Sequence, residues 1–155
     1  MLAIAARTPD HGGLTPWRFV TVADDRRDSL DAMLQRALAE DDPEANDAKR
    51  SKEHDFAHYS GTLVVVVSAP VENHKIPVWE QELSCGAAAM NLLHAATALG
   101  FSAGWVTGWR TYSPLVNAAF CAPGERIAGF VFIGHPSRHI DERQRPDAAT
   151  VVRNW

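Results

Sequence analysis

The sequence predicts one domain that mixes helices and strands, α/β or α+β, and three observations carry that expectation. Residues 62–69, TLVVVVSA, are nearly all β-branched and continuous rather than alternating, as in a strand covered on both faces. Residues 78–99 form a long helical stretch with Glu80 and Glu82 near its start and Gly100 at its stop. A length of 155 residues, with 46% apolar and 22% charged side chains, suits a single core without a linker.

The remaining elements follow in order. Residues 2–7 read as the tail of a helix, ended where Pro9 disfavours helix at Thr8. The loop after it carries Pro9, Gly12, Gly13 and Pro16, which steer the chain through unusual backbone angles into a strand over 17–23. Asp24 and Asp25 sit where an N-cap and first-turn acids belong, and Leu30, Met33, Leu34 and Leu38 repeat at helical spacing. Residues 40–53 are highly charged and read as a solvated loop or helix face with no binding role. Within 78–99, Ser84, Ala88, Asn91 and Ala95 lie near one face and permit another helix to approach closely, which places this helix at the core and at an interface between two copies. Strands are expected over 101–107 and 127–133, with a short helix over 114–120 between them. The polar tail over 136–150 reads as an arm able to add itself to a partner.

Composition removes several function classes. A net charge of -4 and a pI near 5.9, with Lys and Arg scattered, give no basic face for nucleic acid. Residues 83–109 contain no Asp, Glu, Lys or Arg, yet Asn91 and His94 interrupt the run and Gly100 and Gly104 divide it. A buried helix followed by a buried strand is expected there, not a membrane span. Cys85 and Cys121 lack metal-ligand spacing and read as free thiols in a reducing compartment. The apolar opening over 1–6 is too short for a signal-peptide core, so a cytoplasmic protein is expected. No glycine set has the G-x-G-x-x-G spacing between a strand and the helix it opens, so no separate nucleotide domain is expected.

Several segments carry a family resemblance. Ala6-Arg7-Thr8-Pro9-Asp10-His11 followed by Thr15-Pro16-Trp17-Arg18-Phe19 resembles the helix-to-strand entry of the nitroreductase family, where a small polar loop ending in Pro-Trp passes the flavin. Residues 72–82, ENHKIPVWEQE, lead into the long uncharged helix and are similar to a stretch of a small-nitroreductase subgroup. Gly100-Phe101, Gly104-Trp105-Val106-Thr107-Gly108 and Gly129-Phe130-Val131-Phe132-Ile133-Gly134 continue the match in order, so it covers nearly the whole chain. The resemblance implies an α+β fold, with a central mixed, mainly antiparallel sheet flanked by helices. It also implies a homodimer that holds FMN between subunits, takes NAD(P)H as reductant, and passes electrons by a ping-pong hydride mechanism to nitroaromatic or quinone-like acceptors.

The implied FMN-binding positions are Arg7, His11, Trp105, Val106, Thr107 and Gly108, and Ala95 falls at a position associated with the nicotinamide substrate. Arg7 is a permanent cation with several donors, suited to a flavin oxygen or phosphate. His11 can donate to a ring or ribityl oxygen without titrating. Trp105 offers an aromatic plate, and Thr107 and Gly108 backbone donors. No catalytic acid or base is required, because the flavin does the difficult chemistry. Family members usually begin with a helix and an Arg-Arg-Ser-type segment that binds the FMN phosphate; residues 1–155 read as one domain without it. Arg26-Arg27-Asp28-Ser29 follows the first strand and reads as a charged helix start instead.

Two alternatives remain at the level of sequence. One is the same fold serving as a binding protein that does not retain FMN. The other is a zinc hydrolase using His54 and His58, which sit at i, i+4 spacing in His54-Asp55-Phe56-Ala57-His58. That motif has Asp where the H-E-x-x-H hydrolases need Glu, and spacing alone supplies no third ligand.

Overall fold

The structure, a computed structural model, describes residues 1–136 and 141–155. Its centre is β2 (Thr62–Ser68), paired antiparallel on one side with β1 (Trp17–Val22) and on the other with β4 (Arg126–Gly134). The edge strand β3 (Ser102–Val106) pairs antiparallel with β4, giving the order β1-β2-β4-β3. Every strand pairing among the described residues is antiparallel, within the mainly antiparallel sheet that the resemblance implies.

The continuous valine run places β2 as expected, because alternate residues are dry on opposite faces. Val64 and Val66 face a layer made by α4 (Val78–Ala98), through Cys85, Ala88, Ala89 and Leu92, and by Ala5 of α1 (Leu2–Ala5). Leu63, Val65 and Val67 face the other layer, made by α2 (Arg27–Asp41), α3 (Asp47–Ala57) and α6 (Pro114–Phe120). Each valine or leucine enclosed in this way contributes about 1.5–3 kcal/mol.

Several boundaries differ from the sequence reading. The first helix stops at Ala5, so Arg7 and Thr8 lie in the turn beyond it. Thr8 Oγ1 donates to the Ala5 carbonyl at 2.7 Å, closing the helix end, and accepts from Asn91 Nδ2 at 2.8 Å. The small-residue side of α4 thus receives α1 of the same chain. Asp24 and Asp25 form a separate 3-10 turn and cap nothing with their side chains. The uncharged run over 83–109 resolves into α4 and β3, and no helix of the described residues is long and apolar enough to cross a membrane. Of the expected arm over 136–150, residues 137–140 lie outside the described residues; 141–155 are exposed and include α7 (Ala148–Val151).

The charged segment over 40–53 is not wholly solvated. Glu53 is only 4% exposed and accepts hydrogen bonds from Trp109 Nε1 at 3.2 Å and from Arg110 Nε, both on α5 (Trp109–Tyr112). The Arg110 guanidinium carbon lies 3.9 Å above the Phe56 ring, so the cation is held by a carboxylate and an aromatic face together. Arg27, 7% exposed, donates to the carbonyls of Ala57 at 3.2 Å and Gly61 at 2.7 Å and ties the end of α3 to the start of β2. This satisfies its charge structurally, as a charged helix start should.

On the opposite edge, Arg18 of β1 forms a two-pronged ion pair with Glu125, with Nε donating to Oε1 at 2.9 Å. Hydrogen bonding from Arg18 holds the Glu125 carboxyl below the ordinary glutamate value of 4.5.

Two predictions follow from these ion pairs. Removing one partner of a buried pair strands the other, so Glu53→Ala should lower the unfolding free energy by about 3–5 kcal/mol, and Glu53→Gln, which keeps an acceptor, by less; urea unfolding of the three proteins reads both. A carboxylate whose folded pKa is depressed stabilises above its unfolded value and ceases to do so as pH falls through the folded one. The stability difference between wild type and Glu125→Gln should therefore be full at pH 7 and close below pH 4.5, as urea melts at pH 7 and pH 3 would show.

Candidate active site

The sequence-implied positions fall into two groups. Trp105 and Val106 end β3, with Thr107 and Gly108 just beyond, and all four are exposed. Gly108 has φ 113°, a conformation open to glycine, and this turn hands the chain to α5 and its clamp on Glu53.

The Trp105 indole is seated by the backbone of β4. Val66 pairs with Gly129 and Val67 with Ile127, so Ala128 is an extra residue on β4, a bulge. Its carbonyl accepts from Trp105 Nε1 at 3.2 Å. Gly129 permits the approach, since a Cβ there would stand 2.0 Å from Trp105 Nε1.

Beside the indole lies an open cleft of about 320 Å³. Ser68, Glu82, Cys85, Gly86, Thr107, Thr111, Tyr112 and Arg126 line it with Trp105. Three of its features concern chemistry. Ser68 Oγ is buried and has no partner of normal hydrogen-bond geometry among the described residues. Burial pushes the Cys85 thiol up to about 11, with neighbouring Ser68 offsetting part of the effect, so it stays a neutral, unreactive thiol at pH 7. Arg126 donates to Glu82 at 2.7 Å, leaving a paired cation at the rim.

Arg7 and His11 form the second group. Both are exposed. His11 Nδ1 lies 2.8 Å from Glu80 Oε2 on the first turn of α4, and Asp10 Oδ2 accepts from Leu14 N and, at 3.1 Å, from Thr15 N, which fixes the loop behind it. With Glu80 taking the Nδ1 proton, a neutral His11 presents Nε2 as an acceptor; it donates there only when protonated. The hydrogen bond of His11 runs to α4 and that of Trp105 to β4, so the two groups do not share a hydrogen-bonded set.

Ala95 is set apart from both groups. It is 3% exposed on α4 and presents no side-chain surface. The exposed apolar side of α4 is another one, where Trp79, Leu83 and Met90 are 61%, 63% and 43% exposed. At 100° per residue these three fall on one stripe, opposite Ser84, Ala88, Asn91 and Ala95.

His54 lies on α3 and His58 is its C-cap residue, in the layer on the other side of the sheet from α4. Spacing gave them no third ligand, but the fold brings Asp31 of α2 against them. Sequence reading also missed Glu53, Ser68 and Arg126. The partners of Glu53 and Arg126 are distant in the chain, and no local motif marks any of the three.

The chain has known relatives. The nitroreductase family model matches residues 1–135. A protein of Escherichia coli (strain K12) named "Putative NAD(P)H nitroreductase YdjA" is 37% identical over 140 residues, covering 88% of this chain and 74% of the relative. A similarly named protein of Haemophilus influenzae is 34% identical, covering 84% of this chain and 71% of the relative. Among solved structures, a nitroreductase-like family protein from Bacillus cereus superposes with a TM-score of 0.81 at 19% identity, covering 99% of this chain and 81% of that one. One from Desulfovibrio desulfuricans in complex with FMN gives 0.71 at 19% identity, covering 99% and 80%. The structural likenesses establish the fold, and the sequence matches establish descent: this chain belongs to the nitroreductase family.

Proposed function

We propose that the protein is an FMN-dependent NAD(P)H oxidoreductase that reduces nitroaromatic or quinone-like acceptors by a ping-pong hydride mechanism. The observation that carries this reading is the exposed Trp105–Gly108 strip beside an open cleft, in a chain whose relatives are named for NAD(P)H nitroreduction. The residues present fit the cofactor. The cleft has a buried hydroxyl at Ser68 without a partner among the described residues, open space at Gly86 and a seated indole at its edge.

When bound, FMN would supply the hydride chemistry at its N5 atom. The protein's part is to bind, orient and stabilise charge. Trp105 and Val106 offer flat apolar surface, and the Thr107 and Gly108 backbone N–H groups offer donors at a strand end. Arg7 offers a cation toward the electron-rich edge of the reduced ring, and His11 an Nε2 acceptor for a ribityl hydroxyl. No side chain need serve as a general base, consistent with a cleft whose one thiol is held neutral. Ala95, being enclosed, would act toward the nicotinamide only through the packing of α4.

The family resemblance supports a site shared between two copies, one giving Arg7 and His11 and the other the Trp105 strip. The occupant of the exposed Trp79, Leu83 and Met90 stripe is then the partner's equivalent surface, and the acceptor enters from the open side of the cleft. The net charge of -4 and pI near 5.9 support a reading without a nucleic-acid partner, and a cytoplasmic location is part of the same proposal.

The flavin reading is tested by the absorption spectrum of the protein after incubation with FMN and by its bleaching with NAD(P)H; a chain that takes up no flavin would be the fold serving as a binding protein. Arg7→Ala should weaken FMN binding roughly tenfold to a hundredfold, the worth of a charge-assisted hydrogen bond of about 1.5–3 kcal/mol, and make the bound flavin harder to reduce. Arg7→Lys should recover the midpoint potential better than the affinity, since it keeps the charge and loses the planar fork. Unchanged constants in all three proteins would remove Arg7 from the site. Leu83→Glu, which puts a charge in the apolar stripe, should shift light scattering from dimer to monomer and weaken FMN binding in step; a wild-type monomer at micromolar concentration would overturn the shared site.

A further inference from the structure

Helices α2 and α3 pack as a hairpin whose side-chain contacts step in opposite directions along the two helices. Lys49 pairs with Asp42, Gln35 donates to the Arg50 carbonyl at 2.9 Å, His54 Nδ1 lies 2.7 Å from Asp31 Oδ2, and His58 Nε2 lies 2.9 Å from Asp28 Oδ1. The last two rungs place a histidine pair at i, i+4 against an aspartate pair at i, i+3, both spacings that put side chains on one helix face. The imidazole rings of His54 and His58 are 4.3 Å apart between centroids.

One atom each from Asp31, His54 and His58 lie within 4.8 Å of one another. Bonds of about 2.0–2.2 Å in a tetrahedron set ligand atoms about 3.3–3.6 Å apart. Small side-chain rotations close that difference, and the exposed rings of both histidines are free to make them.

The hydrogen-bond polarity of His58 sharpens the point. Its Nδ1 lies 3.0 Å from the His54 carbonyl oxygen, which can only accept, so Nδ1 carries the hydrogen. With Nδ1 so engaged, Nε2 is the atom turned to the Asp28 carboxylate, where a proton on it completes an ion pair and a metal ion can take that proton's place. A backbone carbonyl that takes the far N–H of an imidazole is also the usual orienting partner of a metal-bound histidine.

We propose that Asp31, His54 and His58, with Asp28 in reach as a fourth ligand, bind one divalent transition cation that bridges α2 and α3. Two imidazoles with carboxylates select zinc, cobalt, nickel or copper over magnesium and calcium, which take oxygen ligands. Both histidines are exposed and Asp31 is half-buried, and the site lies in the helical layer across the sheet from α4. Its role is to cross-link two helices. It does not depend on the flavin reading, and neither result decides the other.

The test uses the full chain without an added histidine tag, freed of metal by chelator and dialysis. Titration with Co²⁺ should give visible d–d absorption saturating at one equivalent, and Zn²⁺ should displace it. Zn²⁺ at a hundredfold excess over its Kd should raise Tm by about 5–10 °C. His54→Ala and His58→Ala should each weaken Co²⁺ binding at least about a hundredfold and abolish the zinc-dependent rise in Tm, measured against the same variant without metal. The remaining histidines, present in every variant, report adventitious binding. Absence of the saturable Co²⁺ absorption, or wild-type affinity in either variant, overturns the site.

Discussion

Strand β2 must be dry on both faces, and the rest of the molecule is arranged to keep it so. Five consecutive residues, Leu63 to Val67, are almost wholly enclosed, which no single layer of helices can achieve. One helical layer therefore covers each side, α4 with α1 on one and α2, α3 and α6 on the other. The candidate active site is built where this constraint relaxes, at the edge strand β3, whose end projects beyond the cover.

The two layers are secured differently. On the α4 side the packing is of small residues, with part-buried and buried polar links from Asn91 to Thr8 and from Gln81 to the Val71 and Ile76 backbone. On the α2 and α3 side the apolar core is supplemented by enclosed charges, Arg27 on two carbonyls and Glu53 on Arg110 and Trp109. Glu53 makes α3 part of the active-site support even though it touches nothing in the cleft. It fixes the residues that directly follow Gly108, and hence the exit of the exposed strip.

Much of the fold was legible in the sequence, and the reasons are local. The valine run, the N-terminal glutamates and terminal glycine of the long helix, and Pro114 at a helix start each act over a few residues. The small residues of α4 admit a close helix as composition suggests, and that helix is α1 of the same chain, while Trp79, Leu83 and Met90 are exposed on another side. Pairings such as Glu53 with Arg110, or Asp31 with His54, join residues 57 and 23 positions apart, and nothing in the neighbourhood of either member announces the other. The strip at Trp105–Gly108 was located through resemblance; its seat on the Ala128 bulge was invisible, because a bulge shows itself only as a skipped partner in a ladder.

That seat has an evolutionary consequence. The indole occupies the volume a side chain at position 129 would need, so positions 105 and 129 form a volume-coupled pair separated by 24 residues. While a tryptophan stands at 105, drift at 129 is confined to glycine. A smaller residue at 105 would release 129 to carry a side chain, and with it the Ala128 carbonyl would lose its donor. The bulge, the glycine and the tryptophan are thus a single heritable unit, and its members are expected to change together across descendants or not at all.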